Sequence, residues 1–541
     1  MHPAAIQWQA ALLGRFGDHG ACRAALGDAP LDRAWDLALR ASRGTVDADA
    51  LPSFGEVLAF QDAPLEVRVA ASYAAVGLAQ SAWLRADAEG LARIAELHAK
   101  LVIGADGTEA ALWARATETA LGVFVSRGKD GTDACVALAK AAAQQKIPAL
   151  VIFANALHAL VLLREGEFES ANAVARRASR MARTEALPQF EYLATVALAR
   201  VRRYLGRPHL AVRILSALAR YAPAPWHPWI AWELLFAGES ELALALLESG
   251  VASPVAELAR GLVGALAGFE QGDLDGASSA TAALEAAAGG WAFFADELGL
   301  VAAALDPRRN PGEVRSKRFQ RWATGQSVEL PPELHGIAVR AHGPRAHGGD
   351  STAVVLVSPT APARRLLWVS VATAQSLGYT MLAPTERGQA RVHYGLAVLA
   401  FAGRTGLSAE ELYREIYRLS FEPKADSRTL DVLVHRMRAV LPEGVQIRRE
   451  RDGNLWLESS APIVIPDPRC EQSTHDRVLR VLAKRPGLGA KDVAETLQIS
   501  LRSAQETLKE LAEDGACALQ NEGKAHRYEV IDTTFTEPTV S

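Results

Sequence analysis

The side chains of this chain that could do chemistry are not those of a catalyst. There is no GxxxxGK[ST] phosphate loop, no HExxH, no GxSxG and no GxGxxG between a strand and a helix. The nearest approach to a phosphate loop, Gly122 to Lys129, has five residues between its glycines and an aspartate after the lysine. Cys22, Cys135, Cys470 and Cys517 stand far apart with no CxxC pair, the pattern of reduced thiols rather than of a zinc site or a disulfide frame. His342 and His347 lie in a glycine-rich stretch without carboxylate or cysteine partners. The chain is therefore read as a non-enzyme with no metal and no cofactor. What remains is hydrogen-bonding chemistry. In "LRSAQETLKELAEDG", Leu501, Ala504, Leu508 and Leu511 form an apolar stripe at spacings of 3, 4 and 3, which buries one face of a helix. Arg502, Ser503, Gln505, Glu506 and Lys509 then face outward. Glutamine pairs well with adenine, and arginine with guanine or phosphate.

The elements that hold this face can be read on either side of it. "THDRVLRVLAKRPG" is a helix closed by Pro486-Gly487, "AKDVAETLQIS" is a second helix and turn, and Ser500 caps the third helix. "ACALQNEGKAHRYEV" reads as two strands around Asn521 to Lys524. Three helices and a β-ribbon over 473–531 resemble the winged helix of MarR, ArsR or IclR type regulators. That resemblance implies a DNA contact through the third helix, with Lys524 and Arg527 as wing contacts.

A second block lies upstream, beginning near Thr385. "RVHYGLAVLAFAGR" is a helix ending at Gly403 to Gly406; Ser408 and Glu411 form a capping box that opens "AEELYREIYRL". "SFEPKAD" is read as a loop broken by Pro423, and Ser427 as the start of a third helix to Leu441 with the stripe Leu430, Val434, Met437 and Leu441. Pro442 and Gly444 end it, and "VQIRRERDGNLWLES" alternates around the turn Asp452-Gly453. Ahead of the block, "TAVVLVS", "RLLWVSV" and "GYTML" read as a small sheet. "SRTLDVLVHRMRAVL" with "IRRERDGNLWLES" is similar to the effector domain of OmpR/PhoB-type response regulators, whose domains also carry a small N-terminal sheet. The likeness spans 352–460. It implies that Arg428, Thr429, His435 and Arg436 face DNA, and that Arg448, Arg449 and Arg451 sit on or near the wing. The chain departs from that pattern at Leu433, where a polar residue is usual, and at Ala439 and Val440, where a basic pair is usual. No receiver-like domain precedes the block.

Charge limits how strongly either block can hold a polyanion. Net charge is −4 overall, so no global basic field advertises nucleic acid. From Thr385 to Ser459 there are 12 basic and 11 acidic side chains, and from Thr474 to Val530 there are 9 of each. Affinity for DNA rests heavily on neutralising phosphates, so both faces depend on local arrangement.

The first 305 residues are rich in alanine and leucine, a composition that packs helix on helix through small contacts. A pattern of alanine, six residues, glycine, four residues, alanine recurs as Ala159-Gly166-Ala171, Ala199-Gly206-Ala211, Ala231-Gly238-Ala243 and Ala265-Gly272-Ala277, with glycines 40, 32 and 34 residues apart. Glycine closes a turn between two helices, and the alanines let the helices approach. The pattern resembles the tetratricopeptide repeat, with its period of 34. It implies a helical solenoid over 1–305 whose concave face takes a protein or peptide, with Trp226, Trp229 and Trp232 as candidates to line the groove. Residues 306–351 read as a linker with a basic run, Arg308 to Arg321, presented to solvent. No uninterrupted apolar run is long enough for a membrane span, and the N-terminal stretch lacks the charge and apolar run of a signal peptide.

These readings combine into one expectation. The chain is mainly α, with a tetratricopeptide-like solenoid followed by two winged helix-turn-helix α+β domains. It is expected to be a cytoplasmic transcriptional regulator that binds double-stranded DNA and senses a protein or peptide, with a homodimer compatible with such a role and no membrane partner. The alternative is a non-enzymatic scaffold in which repeats and winged helices contact proteins.

Overall fold

Each glycine of the Ala-Gly-Ala pattern ends a helix. In the computed structural model Gly166, Gly206, Gly238 and Gly272 have φ of +87°, +73°, +88° and +84°, the left-handed conformation in which a Cβ is penalised. All eight alanines of the pattern are buried, at 0 to 3 % exposure. Pro188 and Pro254 open the next helices, where a missing N–H and a preset φ cost nothing. Upstream the pattern is blank for a physical reason. After the helix Leu65–Leu84 the left-handed residue is Ala86, at φ +55°, which costs an L-residue roughly 1–2 kcal/mol and leaves no glycine to read. The structure describes residues 2–12, 19–43, 51–125, 131–341, 353–367, 369, 371–382, 390–450, 453–470, 473–522 and 525–532. The described residues are mainly helical, with a few small sheets.

The chain forms two compact units, one of residues 1–260, 287–295 and 475–541, the other of residues 261–286 and 296–474. Neither boundary falls at 305, where composition placed it. In the first unit, helices pack on their sequence neighbours and on the next but one. Pro148–Glu165 touches both Phe168–Thr184 and Pro188–Tyr204. Pro148–Glu165 is long and apolar enough to cross a membrane by length and composition, yet most of it is buried among these helices. Trp226, Trp229 and Trp232 are 2 %, 1 % and 0 % exposed, which corrects their assignment to a groove. Trp226 and Trp229 pack on Trp83, and Trp229 and Trp232 on Phe294. The Trp229 indole N–H donates to the Leu84 carbonyl at 2.8 Å. Rings this size bury too much apolar area to be left for a partner.

The second unit holds a four-stranded sheet of β1 (Val354–Ser358), β2 (Ala361–Leu366), β3 (Thr380–Met381) and β6 (Ile463–Pro466), in the order β2-β1-β6-β3. β1 pairs antiparallel with β2 and β6, and β3 pairs parallel with β6. Two of the three strands expected upstream are found, at β1 and β3; the second, expected over "RLLWVSV", is shifted to Ala361–Leu366, Val371 instead opens the helix Val371–Ser376 between β2 and β3, and β6 lies past residue 460. Alternation splits the sheet's faces. Val355, Val357, Ile463 and Ile465 join one core, and Val354, Leu356, Leu366 and Val464 the other. The expected linker is also folded through residue 341. Phe319 and Trp322 are fully buried on the helix Lys317–Ala323. Four of the six cations in the basic run pair with carboxylates: Arg308 with Asp306 and Asp275, Arg309 with Glu285, Arg315 with Asp296 and Arg318 with Glu333. His342 and His347 lie outside the described residues.

Buried charge braces the sheet. Asp467, fully buried, accepts from Arg365 Nε at 2.9 Å and from Arg469 at 2.7 Å. Burial alone would raise this carboxyl, but the two guanidinium groups hold it below the ordinary carboxylate range.

Candidate functional site

Two blocks, one in each unit, have the same order of elements. The first runs through the helices Ala390–Ala402, Ala409–Tyr417 and Pro423–Ala439 to the ribbon of β4 (Val445–Arg449) and β5 (Leu455–Ser459). The second runs through Thr474–Lys484, Ala490–Leu497 and Leu501–Glu513 to the ribbon of β7 (Cys517–Glu522) and β8 (Ala525–Val530). In each, the residue two positions before the second helix pairs with the ribbon's second strand, Leu407 with Leu455 and Leu488 with Tyr528. Thus two unlike sequences close the same way.

In the first block the third helix begins at Pro423, four residues before the Ser427 expected from sequence, with Glu422 as its cap. Pro423 is a helix start here and not a breaker, because the first turn has no use for its N–H. Leu430, Val434 and Met437 are buried as the stripe requires, and Leu433 joins them at 5 % exposure. Its apolar side chain therefore serves the core. The helix sits close to Ala390–Ala402: a Cβ on Gly395 would stand 2.4 Å from the Met437 sulfur. The capping box of Ser408 and Glu411 forms as read, with both hydrogen bonds present.

The outward face carries Arg428, Thr429, His435 and Arg436, all exposed. Arg428, Thr429 and Arg436 line a cleft of about 380 Å³ together with Arg391, Tyr417 and Val432, over a floor of Val392 and Leu433. The Arg391 guanidinium lies over the Tyr417 ring, 5.0 Å from its centre. Among the described residues no carboxylate lines this cleft and none pairs with Arg391, Arg428 or Arg436. His435 is exposed outside the cleft. On the ribbon, Arg448 donates to Glu458 at 2.5 Å, and this bond holds Glu458 below the ordinary carboxylate range. Arg449 stands 3.7 Å from Asp431. Arg451 lies outside the described residues.

The second block presents its third helix differently. Ser500 caps it by accepting from the Ser503 N–H at 3.1 Å. Ala504, Leu508 and Leu511 are buried, but Leu501, read as part of that stripe, is 47 % exposed, and Thr507 takes the inner position instead. Arg502 pairs with Glu506 at 2.8 Å, Lys509 with Glu513 at 3.6 Å and Arg527 with Asp492 at 3.4 Å. Gln505 is exposed, Ser503 half-buried, and Lys524 lies outside the described residues.

The opposite side of this block is packed on the helices of its own unit. Arg480, 9 % exposed, donates to the Ala237 carbonyl at 3.0 Å, and Lys484 meets Glu239 at 2.7 Å. Arg202, 3 % exposed, makes two bonds to Asp532 at 2.8 and 3.0 Å. Arg213 reaches Glu529 at 2.8 Å and also the Val530 carbonyl. Burial pulls His209 down to about 4, helped by Arg480, Arg202 and Arg207 and opposed by Asp476.

Sequence reading missed Arg391 and the docking arginines Arg202, Arg213 and Arg480. Arg391 stands at the start of a helix that was read correctly, but its place beside Arg428 depends on how two helices cross. Compared with protein-family models, with curated proteins and with solved structures, the chain matches none.

Proposed function

We propose that this protein is a DNA-binding transcriptional regulator in which the first block, a winged helix, contacts double-stranded DNA. The observation that carries this reading is the exposed face of Arg428, Thr429 and Arg436 beside a β-ribbon, around a cleft with no carboxylate among its described lining residues. A helix fits the major groove, where arginine can bridge guanine O6 and N7, and free cations grip phosphates. The second block is a winged helix of secondary weight, since its cations are already held by neighbouring carboxylates. The helices of the first unit, read as a tetratricopeptide-like solenoid, would bind a protein or peptide and carry that signal into the second block docked on them. The alternating alanine and glycine pattern and its closely stacked helices support this role. A cytoplasmic setting goes with it.

A second reading is favoured for the second block alone. Its ion-paired helix face suits a protein contact, as in a scaffold, better than a phosphate backbone.

The test is binding of the full chain to genomic and random duplex DNA across a salt series. Binding should weaken steeply as salt rises. Arg436→Ala should cost about 1–3 kcal/mol if it reads a base, whereas Arg502→Ala should cost less than about 1 kcal/mol because its partner already holds it. If Arg428→Ala and Arg436→Ala both bind DNA as the parent does, the assigned face is wrong.

A further inference from the structure

We infer that the cleft between the helices Ala390–Ala402 and Pro423–Ala439 binds a small organic phosphate. Three guanidinium groups, Arg391, Arg428 and Arg436, line it, with no carboxylate among its described lining residues. Elsewhere in the same block, Arg448, Arg449 and Arg418 each have an acidic neighbour. Three like charges on one cleft repel one another, and an anion between them converts that repulsion to attraction. Arg391 is held by the face of Tyr417, which orients the guanidinium without neutralising it.

Phosphate is the anion that fits best. Planar guanidinium forks match its oxygens in pairs, a monoester near neutral pH carries close to two charges and three acceptor oxygens, and the Thr429 hydroxyl can add one further bond. The volume, about 380 Å³, falls in the range of small-molecule sites, roughly 300–1,000 Å³, and exceeds what a lone phosphate fills. Val432, 45 % exposed on the wall, offers apolar surface to the organic part. Arg428, Thr429 and Arg436 also form the proposed DNA face. The ligand would therefore compete with DNA; only this consequence, not the binding, rests on the DNA reading.

The experiment measures binding of ribose 5-phosphate, adenosine monophosphate and inorganic pyrophosphate to the full chain by calorimetry without DNA, beside ribose and adenosine. At least one of the two organic phosphates should bind more tightly than its unphosphorylated counterpart and than pyrophosphate. Arg391→Ala should weaken it by roughly tenfold or more, and Val432→Glu, which sets a carboxylate on the wall of an otherwise intact helix face, should abolish it. Arg418→Ala, outside the cleft, should stay within about twofold, and circular dichroism should show all three variants folded. Duplex DNA titrated into the bound complex should release the ligand if the DNA reading holds; failure to release it, with cleft binding intact, counts against that reading alone. The inference is overturned if neither organic phosphate binds at millimolar concentration, if Arg391→Ala and Val432→Glu bind as the parent does, or if Arg391→Ala weakens DNA binding while no small phosphate binds. In that last case the cleft grips the nucleic-acid backbone only.

Discussion

The two helix–helix–helix–ribbon blocks have the same connectivity and almost the same charge balance, yet they present their cations in opposite ways. Along Leu501–Glu513 the acidic residues stand four positions after the basic ones, so Arg502 and Lys509 are engaged by their own helix. On Pro423–Ala439, Arg428 is followed at that spacing by Val432, and Arg436 by Val440. The charge of a segment thus says less about what it can bind than the spacing between its opposite charges. The anchoring differs too. The first block is fastened to its sheet around a buried aspartate, the second to helices through a set of arginines.

The largest expected effect separates those anchors. Asp467→Ala leaves Arg365 buried without its counter-charge, which should cost about 3–5 kcal/mol. Unfolding in urea, followed by hydrogen exchange, should show the loss in the sheet and first block, with amides of the second block unchanged. Equal loss in both blocks would break the contrast.

A smaller effect should appear with acid on the second block's side. His209 titrates near 4 in the folded chain and near 6.5 when unfolded. Above pH 6.5 it is neutral in both states and adds no pH dependence. As pH falls from 6.5 toward 4, the unfolded chain takes up a proton that the folded chain refuses. Stability then drops by up to about 1.4 kcal/mol per pH unit, or about 2 kcal/mol by pH 5. His98, fully buried and pulled down to about 3, acts in the same direction, so His209→Gln should flatten the slope of the first unit's unfolding free energy between pH 7 and 5 without removing it. An unchanged slope would mean that His209 is not shielded where the second block docks.

The smallest effect sharpens the comparison of the two faces. Glu506→Gln removes the carboxylate that holds Arg502, and an exposed pair of this kind is worth a few tenths of a kcal/mol up to about 1 kcal/mol. DNA affinity of the full chain should rise modestly, with a steeper salt dependence. No change would place the second block's third helix away from DNA altogether.

Much of the local structure was legible. The Ser408 and Ser500 caps, the Gly166, Gly206, Gly238 and Gly272 turns and the two ribbons each rest on neighbours a few residues apart, so their signals survive in one dimension. Other features were read wrongly from the same kind of local signal. Pro423 has the same φ whether it breaks a helix or begins one, and a tryptophan trio at helical spacing looks alike whether a partner or Phe294 covers it. Arg391 carried no signal, because nothing in "RVHYGLAVLAFAGR" says which helix lies across from it.

Taken by itself, the amino-acid order determined most of the helices, several of their caps and glycine turns, and the apolar stripe of most of them, since those follow from periodicity and from backbone stereochemistry within a single turn. Tertiary structure alone decided which cations are spent on neighbouring carboxylates, that residues 306–341 are folded, and that the last block rests on the helices of the first unit. These are outcomes of packing between segments up to 330 positions apart, where contact is set by how whole elements stack and not by any pattern readable along the chain.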